Sequence, residues 1–320
     1  MNTHTTFQRT LKQSVSFIGL GLHSGTKSRI TLKPCEKSTG IFFRRKDVPY
    51  HQSMIPARWN NVTDTTLSTV LSNHYGHSVS TVEHLMAALQ LCHINNVEIE
   101  VDGNELPIMD GSAKPFVDTL LNIGTRSIKT PVKAIYIHKK IEVRDGGRFA
   151  LLLPDTQPKL TISIDFKEKA IGTQSLSVNT NDNSLTRSIA PARTFGFLDQ
   201  IEDLQRKGLA LGGSLNNAIL VDNDQIVNRE GLRFKDEFVR HKVLDAIGDL
   251  ALAGAPIIGH YQAFKGGHLL NTLLMNKLFT DKSAWSYVSM AEFDYFHGKN
   301  TQTQHKFPGY KPELNAVWAN

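Results

Sequence analysis

Along the first third of the chain, apolar positions come in short bursts of β-branched and aromatic residues cut off by Gly, Pro and Ser: SVSFIGLGLHSG, SRITLKP and GIFFRR. Such bursts predict strands joined by turns. The period lengthens at about residues 79–92, where Val82, Leu85, Met86 and Leu89 recur at helical spacing. A short helix is predicted after MDGSAKPF, with Ser112 able to cap it and Pro115 suited to its first turn. The polar stretch GTRSIKTPVK, residues 124–133, carries Gly and Pro and marks the expected domain boundary. Strands resume in KAIYIHKKIEV, RFALLLP and LTISIDF, and a helix near 199–208 follows ARTFGF. GGSLNNAILVD reads as a glycine turn leading into a strand. The longest helical pattern runs from about Asp236 to Ala253 and stops at Gly254, with Pro256 beyond. Strands and helices fall in blocks rather than alternating, which predicts an α+β fold of layered sheets and helices. The expected division is residues 1–126, residues 132–298, and a tail at 299–320 that lacks periodicity and is expected to be mobile.

Two predicted helices carry polar residues that their apolar stripes do not explain. In EFVRHKVLDAIGDL, Val239, Val243, Ala246, Ile247 and Leu250 share one arc. His241, Asp245 and Asp249 share a narrow arc on the other side. The four-residue spacing stacks neighbouring side chains, so an imidazole and a carboxylate can grip one ion such as zinc. A solvated face bearing a weak His–Asp pair is the alternative, and this helix alone does not separate the two. In STVEHLMAALQLC, His84 points away from the stripe with only Ala87 and Ala88 beside it, so another element is expected to pack closely there. Glu83 fits either a capping box, Ser80-x-x-Glu83, or a catalytic carboxylate. If His84, His241 and Asp245 meet, three nitrogen and oxygen donors leave one position open on zinc, which is the pattern of a hydrolytic site.

Bulk properties narrow the picture little. The net charge of +6, from 36 basic and 30 acidic side chains, is compatible with an anionic small molecule, a membrane surface or nucleic acid. Nothing interleaves Lys and Arg with aromatics beyond FFRRK at 42–46, a predicted strand end, so nucleic acid is not expected as a partner. Two cysteines, Cys35 and Cys92, make neither a disulfide framework nor a thiolate metal cluster and point to a reducing compartment. No signal peptide or membrane span is visible, so a cytoplasmic, monomeric protein is expected, with peripheral membrane contact left open.

The blocks GLGLHSG, TVEHLMAAL, PIMDGSAKPF, ARTFGF, LGGSLNNAI, GLRFKDEFVRHKVLDAIGDL and FKGGH occur in that order over roughly residues 7–290. Together they closely resemble the UDP-3-O-acyl-N-acetylglucosamine deacetylases, zinc amidases of lipid A biosynthesis. The resemblance implies two domains, each of layered β-sheets with helices packed between them, and an active site at their interface. It implies Zn2+ held by His84, His241 and Asp245, with Glu83 as general base and His268 as a second, protonated catalytic group. It further implies that Asp249 orients His268, and that the Thr194 hydroxyl helps hold an oxyanion. For the sugar nucleotide it points to Lys242, with Lys265 and Arg148 as weaker candidates. For the acyl chain it points to Leu22, Phe195, Ile201, Ala210, Leu215 and Ala218, which the apolar pattern alone would assign to the core. Ser68 stands where many members carry cysteine, and Asn216 where aspartate is usual.

Overall fold

In the first half, apolar residues that alternate along each strand bury one face of the sheet, as the Lys27–Pro34 strand shows. There Ile30 and Leu32 are fully buried while Lys27 and Arg29 face solvent. The computed structural model describes residues 6–291 and 293, so the expectation for the tail at 299–320 lies outside the described residues. Strands Val15–Leu20, Lys27–Pro34, Val97–Val101, Ile41–Arg45 and Met54–Pro56 form a five-stranded sheet in that order. A smaller sheet joins Val62–Asp64, Val70–Ser72 and Ser78–Val79. Helices α1 (Glu83–Leu91) and α2 (Lys114–Ile123) belong to this half. Ser112 accepts the Lys114 N–H at 3.1 Å and Pro115 lies in the first turn of α2.

The second half is built round a seven-stranded sheet. Its path runs Ile141–Asp145, Arg148–Leu153, Ile257–Phe264, Lys133–Ile137 and Trp285–Ser289, and Pro158–Asp165 also pairs with Ile257–Phe264 and carries Thr173–Asn179 beyond it. Helix α3 (Leu185–Ser188) leads to a three-stranded sheet of Phe195–Phe197, Ile219–Asp222 and Gln225–Ile226, with α4 (Leu198–Arg206) beside it. Helices α5 (Glu237–Ala251) and α6 (His268–Thr280) complete the fold. It is α+β in two layered halves. The expected boundary segment is mostly strand: Thr125–Pro131 pairs antiparallel with the N-terminal strand Phe7–Leu11. Among the described residues no other sheet mixes strands from before and after it. No described helix is long and apolar enough to cross a membrane.

The two halves meet where α1 packs on α5. Val82 just before α1, Leu85, Met86 and Leu89 of α1, and Val239, Val243, Ala246 and Ile247 of α5 are buried, each worth roughly 1.5–3 kcal/mol for a large side chain. A second face of each helix is buried as well. From Val243 to Leu250 every residue of α5 is buried, so the solvated-face alternative for His241, Asp245 and Asp249 is excluded. Gly248 makes the close approach possible: a Cβ there would lie 2.0 Å from the Glu83 carbonyl oxygen.

Candidate active site

The helix crossing brings the predicted donors together. His84, His241 and Asp245 are 4 %, 2 % and 3 % exposed, and their nearest donor atoms lie within 4.8 Å of one another. Asp245 Oδ1 lies 3.3 Å from His241 Nε2 and 3.6 Å from His84 Nε2. The His241 ring is turned by its Nδ1–H, which donates to the Ala192 carbonyl at 3.1 Å and leaves the Nε2 lone pair facing the cluster. Burial pushes the His241 pKa down to about 3, so the imidazole is neutral near pH 7, as a metal ligand must be. Burial also works against the Asp245 carboxylate, but His241 and Lys242 outweigh it and hold the pKa well below the usual range. Asp245 Oδ1 is buried and receives no hydrogen bond. Two imidazoles and one carboxylate oxygen, convergent and short of other partners, fit a divalent cation.

Glu83 stands beside this cluster, 3 % exposed. It does not close a capping box. Ser80 gives both its N–H and its hydroxyl to the Asn104 carbonyl, at 2.9 and 3.1 Å, and Ser78–Val79 pairs as strand, so α1 starts only at Glu83. The freed Glu83 carboxylate instead accepts the Thr69 N–H at 3.0 Å. Burial raises its pKa above the ordinary carboxyl value, against the opposing pull of His268 and His84. His268 begins α6, and its Nδ1–H donates to Asp249 Oδ2 at 2.8 Å. Burial disfavours the charged ring, yet Asp249 more than compensates, and the pKa is pushed up to about 9. Asp249 itself is held by the Thr69 hydroxyl at 2.6 Å and by Asn271 Nδ2 at 2.7 Å, and Asn271 is held in turn by the Tyr261 hydroxyl.

Two cavities share walls here. One, of about 480 Å³, is lined by Glu83, His84, His241, Lys242, Asp245, Thr194 and His268, with Lys265 and Arg148 at its side. Lys242 Nζ lies 2.7 Å from Asp245 Oδ2, Lys265 pairs with Asp165 at 2.8 Å, and Arg148 pairs with Asp145. Thr194 is placed by its N–H, which donates to the Gly111 carbonyl at 2.8 Å. Gly111 has φ +82° and lies so near Asn217 that a Cβ would meet its carbonyl oxygen at 2.0 Å. The second cavity, of about 330 Å³, is lined by Leu22, Phe195, Ile201, Ala210, Leu215 and Ala218 among others. Leu67, at φ +63° and 51 % exposed, borders both. Ser68 is buried, and Asn216 is exposed while the loop around it is braced by Asn217. Thr69, Asn271 and Tyr261 were not foreseen. Threonine in a polar stretch gives no signal, and only the i, i+3 spacing of His268 and Asn271 on one helix could have raised the second.

A buried His2Asp cluster with a carboxylate at its side and an open cavity above is the chemistry of a metal-dependent hydrolase. The family comparison carries that class further. A family model described as UDP-3-O-acyl N-acetylglycosamine deacetylase matches residues 8–280. A UDP-3-O-acyl-N-acetylglucosamine deacetylase of Syntrophus aciditrophicus is 45 % identical, over 92 % of this chain and 93 % of its own. Those of Actinobacillus succinogenes and Haemophilus influenzae are 48 % and 47 % identical, each over 89 % of this chain and 94 % of its own. The chain belongs to the UDP-3-O-acyl-N-acetylglucosamine deacetylase family, a family of metalloenzymes.

Proposed function

We propose that this protein hydrolyses the N-acetyl group of UDP-3-O-(3-hydroxyacyl)-N-acetylglucosamine, releasing acetate, in lipid A biosynthesis. The observation that carries the reading is the meeting of His84, His241 and Asp245 beside Glu83, at the wall between a polar and an apolar cavity. His84, His241 and Asp245 would hold Zn2+, which when bound would supply Lewis acidity and a more acidic water. Glu83, its pKa raised by burial, takes the proton of the attacking water. As negative charge grows on the acetamide oxygen, the positive His268 and the Thr194 hydroxyl, both lining the same cavity, stabilise it. The amine leaves once protonated, by His268 or by the now protonated Glu83. Asp249 keeps His268 charged and turned toward the cavity.

Lys242, Lys265 and Arg148 put positive charge along the polar cavity, where a diphosphate would sit. Leu22, Phe195, Ile201, Ala210, Leu215 and Ala218 give the acyl chain a dry passage. The substrate is thus a soluble nucleotide at one end and a lipid at the other. The test is acetate release from the acylated UDP-sugar, with and without a zinc chelator. Turnover that the chelator abolishes and zinc restores is expected. No turnover by folded, zinc-loaded protein would overturn the substrate, and chelator-insensitive turnover would overturn the metal.

A further inference from the structure

The three groups given proton-handling roles come from separate helices: Glu83 from α1, Asp249 from α5 and His268 from α6. One residue outside those helices binds all three, through its backbone N–H and its hydroxyl together. Thr69, 1 % exposed, precedes the Val70–Ser72 strand. Its N–H donates to Glu83 Oε2 at 3.0 Å, and its carbonyl accepts the Val82 N–H at 3.4 Å, one residue before Glu83. Its hydroxyl lies 2.6 Å from Asp249 Oδ1 and 3.2 Å from His268 Nδ1. A carboxylate offers only lone pairs, so the hydroxyl proton goes to Asp249, and a hydroxyl lone pair faces the His268 N–H. Asp249 Oδ2 is already filled by His268 and Asn271, at 2.8 and 2.7 Å. With Thr69 on Oδ1, the carboxylate is fixed at both oxygens.

We infer that Thr69 is a positioning residue: it sets the placement of Glu83 against the His268–Asp249 pair across the interface of the two halves. The inference rests on the deacetylase reading above. A buried threonine that merely filled space could be exchanged for valine of the same shape without effect on turnover. If its hydroxyl positions Asp249, Thr69→Val leaves that carboxylate short of a donor and free to turn, while the backbone N–H to Glu83 remains. Since His268 is the one cavity-lining residue to which the hydroxyl is hydrogen-bonded among the described residues, the change belongs in kcat rather than KM.

The experiment compares Thr69→Val, Thr69→Ser and Asp249→Asn with the double variant Thr69→Val/Asp249→Asn, each checked for bound zinc and melting temperature. Thr69→Val should keep its zinc and its KM and lose roughly 10- to 100-fold in kcat, the usual loss from a misplaced supporting contact. Thr69→Ser should return kcat to within a few-fold of the parent. In the Asp249→Asn background the valine change should cost much less, because the two act through one contact. Parental kcat in Thr69→Val, or the same loss with and without Asp249, would overturn the inference. Should Thr69→Val fail to fold, Thr69→Ala against Thr69→Ser asks the same question of the hydroxyl, with the same outcomes deciding. An unmutated chain that releases no acetate would reject the deacetylase reading itself, whereas normal parental turnover with an inert Thr69→Val rejects only the role of Thr69.

Discussion

The metal cluster and the apolar passage depart from the usual inside-out rule in opposite senses. At the cluster, His84, His241, Asp245, Asp249 and Glu83 are all under 5 % exposed, although burying ionisable groups is costly without partners. In the passage, Leu215 is 42 % exposed and Leu22, Ile201 and Ala218 are only half-buried, although apolar surface is better covered. The cluster is assembled from residues far apart in the chain, on α1 and α5, so it depends on how the two halves dock. The passage is assembled mostly from residues 195–220, one local run of strand, helix and loop. A site of chemistry therefore needs long-range rigidity, whereas a site for a flexible chain can be made by loops. On the proposed function each departure would be relieved by a ligand: a cation would offset the buried charges, and an acyl chain would cover the leucines at about 0.8 kcal/mol per methylene.

The sharpest way to break the comparison is to remove one donor. His241→Ala should lose bound zinc and reduce acetate release on the order of 10⁴-fold, since several kcal/mol of charge stabilisation go with the metal. Asp249→Ala should keep zinc and lose about 10²- to 10³-fold through His268. Metal content by atomic absorption separates the two, and loss of zinc from Asp249→Ala would place that residue among the ligands instead. The next largest effect tests the docking itself. In Gly248→Ala the new methyl meets the Glu83 carbonyl, at 2.0 Å in the present geometry, and α1 and α5 must part. A destabilisation of about 3 kcal/mol in denaturant melting is expected, with weaker zinc binding. An unchanged midpoint would mean that the crossing is not tight where Gly248 sits.

Helical periodicity made half of this comparison readable from residues alone. His241 and Asp245 lie one turn apart, and His84 opposes its own stripe, so both polar faces stood out before their burial was known. What periodicity could not supply was their partner, because the close approach depends on a glycine that carries no hydrophobic signal. The start of α1 was misread for a similar reason. Ser80 and Glu83 have capping-box spacing, but Asn104, distant in sequence, takes the Ser80 donors, and Thr81 at φ +59° breaks the helix before it begins. The strands from Val15 to Arg45 were legible because β-branched and aromatic runs end at Gly, Pro and Ser, and in Lys27–Pro34 alternate residues are buried as well. The passage was illegible without the family resemblance. Leu22, Ile201 and Leu215 look like core residues, and apolar type alone does not distinguish a lined cavity from a filled one.

The passage can be tested without touching the cluster. Ala218→Phe would put a ring into the 330 Å³ cavity. Its kcat/KM for a substrate with a long acyl chain should fall roughly 10- to 100-fold, the scale on which a hydrophobic pocket discriminates. For a short-chain analogue the change should be within a few-fold, with bound zinc unaltered. An equal loss on both substrates would mean that the ring acts through the fold or the polar cavity, and the acyl assignment would have to be moved.

The mildest perturbation is a change of pH, and it reads the electrostatics that the cluster side has and the passage side lacks. His268 is raised from 6.5 to about 9, against its burial, chiefly by Asp249 with smaller help from Glu83 and Asp245. The folded protein therefore holds this proton more tightly than the unfolded chain. Its contribution to stability is complete below about 6.5 and is lost as pH rises through about 9. The zinc-free protein should lose stability over that window, and His268→Gln should flatten that part of the curve. Zinc adds positive charge beside the ring and offsets Asp245, so the loaded protein should titrate His268 at lower pH than the zinc-free protein does. Nuclear magnetic resonance of the His268 ring, with and without zinc, follows the proton directly. A zinc-free value near 6.5 would mean that Asp249 does not govern this imidazole, and catalytic charge at His268 would need another source.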